Sequence, residues 1–343
     1  MSALAKHAPG EIVHEPSAWV AADIPADRSW VMPFEPDMLE EIRATAETMV
    51  ASGRTPTEIR REDVPLPKTE PLLSAAYGEL ETGRGFAMLS GFPVDDWEED
   101  ILEAAYCAVG SHLGRITIQN REGEYLLHVT DLGKEYSTQS RGYHSTADLH
   151  FHNDGTNTVA LLCAEVAAKG GKSKLISSVA VYNEIVRTRP DLLAPLLNGF
   201  QHHRRDQHEP GDSPLTPFRV PVFSFLDDVF HCCYTRFSID ITAEEGVELT
   251  EHELAALDYL DAVIDRPDFQ LALDFHKGDI QLVNNFVLLH ARSDYVDHPD
   301  RKRHLLRLWL DDERSRFNGP NKMDFYVPEA SRFLMTRGYE SVQ

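Results

Sequence analysis

From Arg115 to Asp240 the chain is cut into short alternating or apolar runs, ITIQN, YLLHVTD, LHFHND, VALLCAEVA, SKLISS, RVPVFSF and VFHCCYTRF, with Gly, Pro, Asn and Asp between them. Further on the same texture returns in FQLALDF, DIQLVNN, FVLLHAR and HLLRLWL. Runs this short cannot bury a face alone, so they must pair and stack, as strands do in a β-sandwich or barrel. Ahead of them GRGFAMLSGFPV, residues 83 to 94, adds one more strand candidate.

Helical spacing is confined to a few places. Leu39, Ile42, Ala46 and Met49 recur at helical steps between Asp37 and Ser52, and a second helix is expected from Leu72 to Glu81. Ile101, Ala105, Val109 and Leu113 mark a third, stopped by Gly114. VAVYNEIVRTR from Val179 follows Ser177 or Ser178 as N-cap, and Thr250 with Glu253 forms a capping box ahead of Leu254, Leu257, Leu260 and Val263. The fold class is therefore mainly β with flanking helices. We expect one catalytic domain over 1–343, with an extended N-terminal arm over 1–35, a core over 80–312 and a C-terminal tail over 313–343.

Charge narrows the partners. With 33 Lys+Arg against 56 Asp+Glu, the net charge of -23 repels a phosphate backbone or an anionic bilayer, so neither nucleic acid nor a membrane is expected as partner. No stretch approaches the ~18 uninterrupted apolar residues of a membrane span, and MSALAKHAPGEIVHEPSAW lacks a signal-peptide core, which reads as cytoplasmic. Cys107, Cys163, Cys232 and Cys233 show no CxxC spacing and are expected to be free buried thiols. Self-association into a homo-oligomer is left open.

Chemistry enters with LHFHNDGTNT. His150, His152 and Asp154 stand at every second position, so on a strand all three share one face. Alone, this also fits the polar side of a half-buried strand. Residues 284 to 310, NNFVLLHARSDYVDHPDRKRHLLRLWL, add His290 at the end of an apolar strand, then Arg303 and Arg307 on one face with Leu305 between them. Two inward guanidinium groups need anions beside them, although surface carboxylates would serve equally. His152, Asp154 and His290 make up the ligand set of a 2-His-1-carboxylate triad, which holds Fe(II) on one face and leaves the other positions open.

In this order the motifs resemble the Fe(II)/2-oxoglutarate-dependent dioxygenases, specifically the taurine dioxygenase and clavaminate synthase-like group. His152-Asn153-Asp154 matches the family's proximal motif, and Asn285 with His290 matches its distal segment. The resemblance covers roughly 80 to 312 and implies a double-stranded β-helix (jelly-roll) core. It makes His152, Asp154 and His290 the metal ligands and catalytic centre. It also gives Arg303 the distal carboxylate of 2-oxoglutarate, places Arg307 near the cosubstrate's first carboxylate or the substrate's acid group, and makes Ser173 of GGKS a hydroxyl donor to the cosubstrate. His150 becomes a supporting or pocket group, with a cupin-like pairing of His150 and His152 as the alternative.

The cofactors implied are Fe(II), with 2-oxoglutarate and O2 as cosubstrates, and the expected reaction is hydroxylation of an unactivated C–H bond in a small-molecule substrate, an amino acid or small organic acid, with release of succinate and CO2. Desaturation, cyclisation and epoxidation use the same residues, and a non-oxygenase metal-binding β-sandwich is the alternative of another class. Gln119, Asn120, His128, His144, Tyr234 and Arg236 are the candidate substrate contacts. QHHRRDQHEPGDSP, residues 201 to 214, is expected to be a lid over the pocket mouth.

Overall fold

The computed structural model describes residues 7–131, 146–205, 207–208, 211–326, 334–335, 337–339 and 341. The strands run in chain order as β1 (Met32–Pro33), β2 (Phe86–Ser90), β3 (Arg115–Ile116), β4 (Leu126–Val129) and β5 (Leu149–His152). They continue as β6 (Thr158–Glu165), β7 (Lys169–Gly170), β8 (Ser173–Ser177), β9 (Phe223–Leu226) and β10 (Val229–Cys232). The last are β11 (Leu271–Leu273), β12 (Ile280–Asn284), β13 (Leu288–Arg292), β14 (Tyr295–Val296) and β15 (His304–Asp311).

The larger sheet has the order β1-β2-β12-β6-β15-β3, with β4 also on β15, and the smaller has the order β11-β8-β13-β5. Met88, Val159, Val283 and Trp309 of the larger sheet share one apolar cluster with Phe151, Leu175, Leu289 and Ala291 of the smaller. Their chain neighbours Leu89, Ala160, Leu282 and Leu308 point the other way, into a second cluster. That second face is covered by helices α1 (Pro36–Ser52), α2 (Glu70–Glu81) and α3 (Glu99–Leu113). A sheet buried on both faces needs continuous apolar runs rather than alternation, which is how VALLCAEVA and DIQLVNN read. The jelly-roll core expected from the sequence is the fold of this chain.

The remaining helices are α4 (Ser178–Thr188), α5 (Leu193–Asn198), α6 (Arg236–Asp240), α7 (Glu251–Ile264) and α8 (Lys322–Tyr326). Signals in the sequence set their ends. Ser177 Oγ caps α4 by accepting from Ala180 N, Thr250 and Glu253 close the capping box of α7, and Gly53 ends α1 in the left-handed region at φ 64°.

Three expected strands need correction. Of ITIQN only Ile116 lies in a strand, with Arg115 before it, because from Leu308 back to Leu305 the edge of β15 is taken by β4, and Ile118 is left 57% exposed. RVPVFSF makes only an isolated bridge from Val220 to Phe200 before its strand begins at Phe223, and VFHCCYTRF stops at Cys232, after which Arg236 opens α6 instead of extending a strand. The N-terminal arm is extended but far from loose. Val13, Trp19, Ile24 and Trp30 are buried in the inter-sheet cluster, with both Trp rings edge-on to Phe86. Among the described residues no helix is long and apolar enough to cross a membrane.

Candidate active site

β5 is the edge of the smaller sheet, and its register on β13 sets His152 directly opposite His290. Their rings lie 4.4 Å apart between centroids. His152 Nδ1 bonds to the backbone carbonyl of His150 at 2.8 Å, which turns Nε2 towards Asp154 Oδ1, 4.0 Å away. His290 Nε2 lies 3.8 Å from Asp154 Oδ2. Donor atoms of the three residues fall within 4.8 Å of one another.

Asparagines hold Asp154 at the strand end. Asn153 Nδ2 donates to the carbonyls of Asn285 and Leu288, and Asn153 Oδ1 accepts from Tyr234 N. Asn285 Oδ1 in turn accepts from Asp154 N at 3.2 Å. The residue between the two proximal ligands is thus a clamp joining β5 to the turn before β13. The Asp154 carboxylate accepts from Trp309 Nε1 at 3.1 Å and Arg307 Nη1 at 3.2 Å.

Electrostatics suits cation binding. Burial, then the neighbouring His290, pushes His152 down to about 3, and burial brings His290 down to about 4, so both imidazoles are neutral with lone pairs available. Burial works against ionised Asp154, but Arg307, His290, His152 and Lys322 outweigh it and hold the carboxyl below the usual carboxylate range.

The GGKS turn leads into β8. Gly170 and Gly171 have φ of 76° and 69°, and a Cβ on Gly171 would lie 3.0 Å from Arg303 Nε, so the turn can lie flat against that side chain only as glycine. Ser173 Oγ donates to Gln281 Oε1 at 2.7 Å and faces Arg292 in the β8–β13 register. Arg303 lies just before β15, its guanidinium 5.3 Å from the Tyr295 ring centre. Its Nη1 is buried with no hydrogen-bond partner among the described residues. Burial, and then Arg292, pushes Arg303 down to about 10.

A cavity of about 60 Å³ is lined by His152, Asp154 and His290 together with Ser173, Arg292, Arg303 and Arg307. It adjoins a larger one of about 510 Å³, which also reaches His152, Asp154 and Arg307 and is walled by Arg204, Arg205, Lys322 and Tyr326. His150 lines the larger cavity with an exposed ring and supports His152 only through its backbone.

Most of the expected substrate contacts lie elsewhere. Gln119 is buried away from both cavities and supports Arg307: Oε1 accepts from Arg307 Nε at 2.8 Å while Nε2 donates to the Arg307 carbonyl at 2.8 Å. Asn120 is tied to Glu124 in a turn, also off the cavities. His128 is exposed because β4 turns it away from the core, where it meets His304 and Glu103. Tyr234 is buried with its hydroxyl on Asp261. Arg236 does line the larger cavity, but Asp240, Asp258 and Asp261 hold it there. His144 lies outside the described residues.

Sequence reading missed Arg292, Lys322 and Trp309. Arg292 had a local signal, standing two residues after His290 and so on its strand face. Lys322 had none. It reaches the site from the C-terminal segment, with Nζ donating to Asn153 O at 2.6 Å and Thr235 Oγ1 at 3.3 Å.

Comparison with known proteins agrees with this geometry. A sequence model of the taurine catabolism dioxygenase TauD, TfdA family matches residues 51–309. FR-33289 synthase of Streptomyces rubellomurinus is 31% identical over 318 residues, 89% of this chain and 93% of that protein. A uridine-5'-phosphate dioxygenase of an Amycolatopsis species is 28% identical over 193 residues, 54% of this chain and 68% of that one. Among solved structures, an asparagine oxygenase bound to Fe(II), 3-hydroxyasparagine and succinate shares the fold, with a TM-score of 0.64 at 16% identity, covering 82% of this chain and 94% of that one.

Proposed function

The chain belongs to the taurine catabolism dioxygenase TauD, TfdA family, and from that membership we propose how its residues divide the work of an Fe(II)- and 2-oxoglutarate-dependent dioxygenase. His152, Asp154 and His290 hold the iron. Two neutral imidazoles and an ionised carboxylate, buried and converging, are the donor set that Fe(II) takes while keeping open positions. Fe(II) held there would supply the dioxygen activation that couples insertion into a C–H bond to conversion of 2-oxoglutarate to succinate and CO2.

One observation supports the reading above others: the cavity that meets the three ligands is also lined by Arg303 and Ser173. Arg303 takes the distal carboxylate of 2-oxoglutarate by a charge-assisted fork, and Ser173 adds its hydroxyl. Arg307 lies beside the metal end, where its contact with Asp154 keeps the ligand ionised and its charge favours the oxoacid's first carboxylate. A zinc hydrolase with the same ligands has no need of two arginines in that cavity.

The substrate occupies the larger cavity, whose size suits a small molecule. Arg204, Arg205 and Lys322 on its wall favour a free amino acid or small organic acid with an anionic group, and Phe151 and Trp309 exclude water from the reacting end. Hydroxylation is the outcome we assign.

Anaerobic addition of Fe(II) and 2-oxoglutarate should produce a weak visible charge-transfer band that Asp154→Ala lacks; a band surviving in Asp154→Ala overturns the ligand assignment. Shifts of the band across amino acids, organic acids and nucleoside monophosphates report the substrate class. The product's mass then separates oxygen insertion from loss of hydrogen.

A further inference from the structure

Arg292 has no part in the ligand set or in the two-arginine pattern of β15, yet it is 6% exposed and lines the same small cavity as Arg303. Both guanidinium groups lie over one ring, with Arg292 Cζ at 4.8 Å and Arg303 Cζ at 5.3 Å from the Tyr295 centroid. Arg292 Nη2 donates to the carbonyl of Ala147 at 2.5 Å. Tyr295, Asp148 and Asp131 favour its charge, yet burial still holds Arg292 below the ordinary arginine range. A neutral aromatic ring attracts a cation but does not cancel its charge.

Two cations drawn to one buried place repel each other, and the burial of Arg303 is made harder by Arg292. An anion between them relieves both effects. The remaining neighbours shape such a site. Ser173 sits directly across the β8–β13 register from Arg292, so their Cβ atoms are about 5 Å apart. Leu149, Leu161, Phe275 and Leu305 line the rest of the cavity and keep the local dielectric low, which strengthens a charged contact. Arg292 also stands two residues along β13 from His290, roughly 7 Å of strand. That separation matches a ligand with one end at the metal and a second anionic end further in.

We propose that Arg292 is a second guanidinium for the distal carboxylate of 2-oxoglutarate, acting with Arg303 and Ser173, so that the cavity selects a dicarboxylic over a monocarboxylic 2-oxoacid. The inference rests on the reading of this cavity as the cosubstrate site. A carboxylate has lone pairs for both arginines, and the hydroxyl completes the set.

The test is equilibrium binding to the Fe(II)-loaded protein without oxygen, read from the charge-transfer band or by calorimetry. 2-Oxoglutarate is compared with 2-oxobutyrate, which chelates through the same end but carries no distal carboxylate. Arg292→Gln should weaken 2-oxoglutarate roughly tenfold or more, the value of a hydrogen bond to a charged group, and leave 2-oxobutyrate unchanged. Arg292→Lys keeps the charge without the fork and should recover part of the loss; it also carries the test if Arg292→Gln does not fold. Equal weakening of both oxoacids overturns the proposal and makes Arg292 a packing residue. Undiminished 2-oxoglutarate binding in Arg292→Gln, with loss in Arg303→Gln, overturns it while leaving the cosubstrate site in place. If Arg303→Gln also binds 2-oxoglutarate normally, the cavity itself has been misread, and the proposal falls with it.

Discussion

Asp154 shares its carboxylate with two donors, Trp309 and Arg307, before any metal arrives. Those contacts fix which way the oxygens point, and Arg307 also offsets the burial that would otherwise protonate them. Replacing a group that orients a ligand typically weakens metal binding without abolishing it, so Trp309→Phe should lower Fe(II) affinity by roughly 10–100-fold. His150→Ala should leave it unchanged, since only the backbone of His150 meets the ligand. Iron titrations on both variants check the pair, and loss of iron in His150→Ala would restore the cupin-like pairing. Two further histidines titrate with folding. Burial pushes His202 down to about 3 and His231 down to about 4, so the folded chain resists their protonation while the unfolded chain accepts it. The stability that neutral His202 and His231 allow is complete above the ordinary histidine value of about 6.5 and is lost as pH falls from there towards the folded values, on the order of 3 kcal/mol for each. Urea midpoints measured from pH 7.5 down to 4 should therefore drop, and His231→Leu should flatten the drop. A pH-independent midpoint over that range would show that neither histidine is held neutral.

The elements deliver these residues by register. β13 is central because β5 on one side sets His290 against His152, while β8 on the other sets Arg292 against Ser173. The turn before β8 then carries Gly171 against Arg303. Gly171→Ala asks a Cβ to occupy a left-handed backbone and to sit 3.0 Å from Arg303 Nε, and the backbone part alone costs roughly 1–2 kcal/mol. The side chain that must yield is the one assigned to 2-oxoglutarate. We expect Gly171→Ala to bind Fe(II) normally and 2-oxoglutarate weakly; normal binding of both would mean that Arg303 can shift without consequence. This level of organisation was partly readable in advance. The proximal and distal motifs, the GGKS turn and the helix caps are local, so their residues and boundaries could be found from neighbours in sequence. Gln119 could not be placed in the same way, because its amide meets Arg307 across 188 positions and nothing in ITIQN distinguishes a supporting residue from a pocket residue. ITIQN also shows why alternation misleads: Ile118 has the strand pattern, but the stretch of β15 it would pair with is taken by β4, where Leu308 faces Leu126.

For the whole molecule, the net charge of -23 contrasts with an interior where Arg292, Arg303 and Arg307 gather at one cavity and Arg204, Arg205 and Lys322 at the next. An acidic surface repels polyanions on average, while cationic groups gathered inside favour small anions there. Both chain ends help to build that interior. Arg316 reaches Glu15 of the N-terminal arm at 2.6 Å, and the segment beyond it places Lys322 and Tyr326 on the substrate wall, with Met323 packed close to Gly155. The little periodicity of the sequence from 313 on gives no sign of this role of Arg316 to Tyr326, because the contacts that define it reach back 169 positions to Asn153 and 301 to Glu15. The segment 201 to 214 is similarly more anchored than its composition suggests. His202, His203 and Arg204 are buried, His203 N donates to Ser238 O at 2.7 Å, and Arg204 N donates to Pro214 O at 2.6 Å. Its base is therefore fixed, and Arg204, Arg205 and Gln207 face the larger cavity. If this segment closes over substrate, the change belongs beyond the anchored base. Hydrogen exchange in the anaerobic iron and 2-oxoglutarate complex should show 201 to 204 already protected, and substrate should add protection only from 205 to 214. Substrate-independent exchange across 205 to 214 would rule out a lid there, leaving those arginines as fixed parts of an open wall.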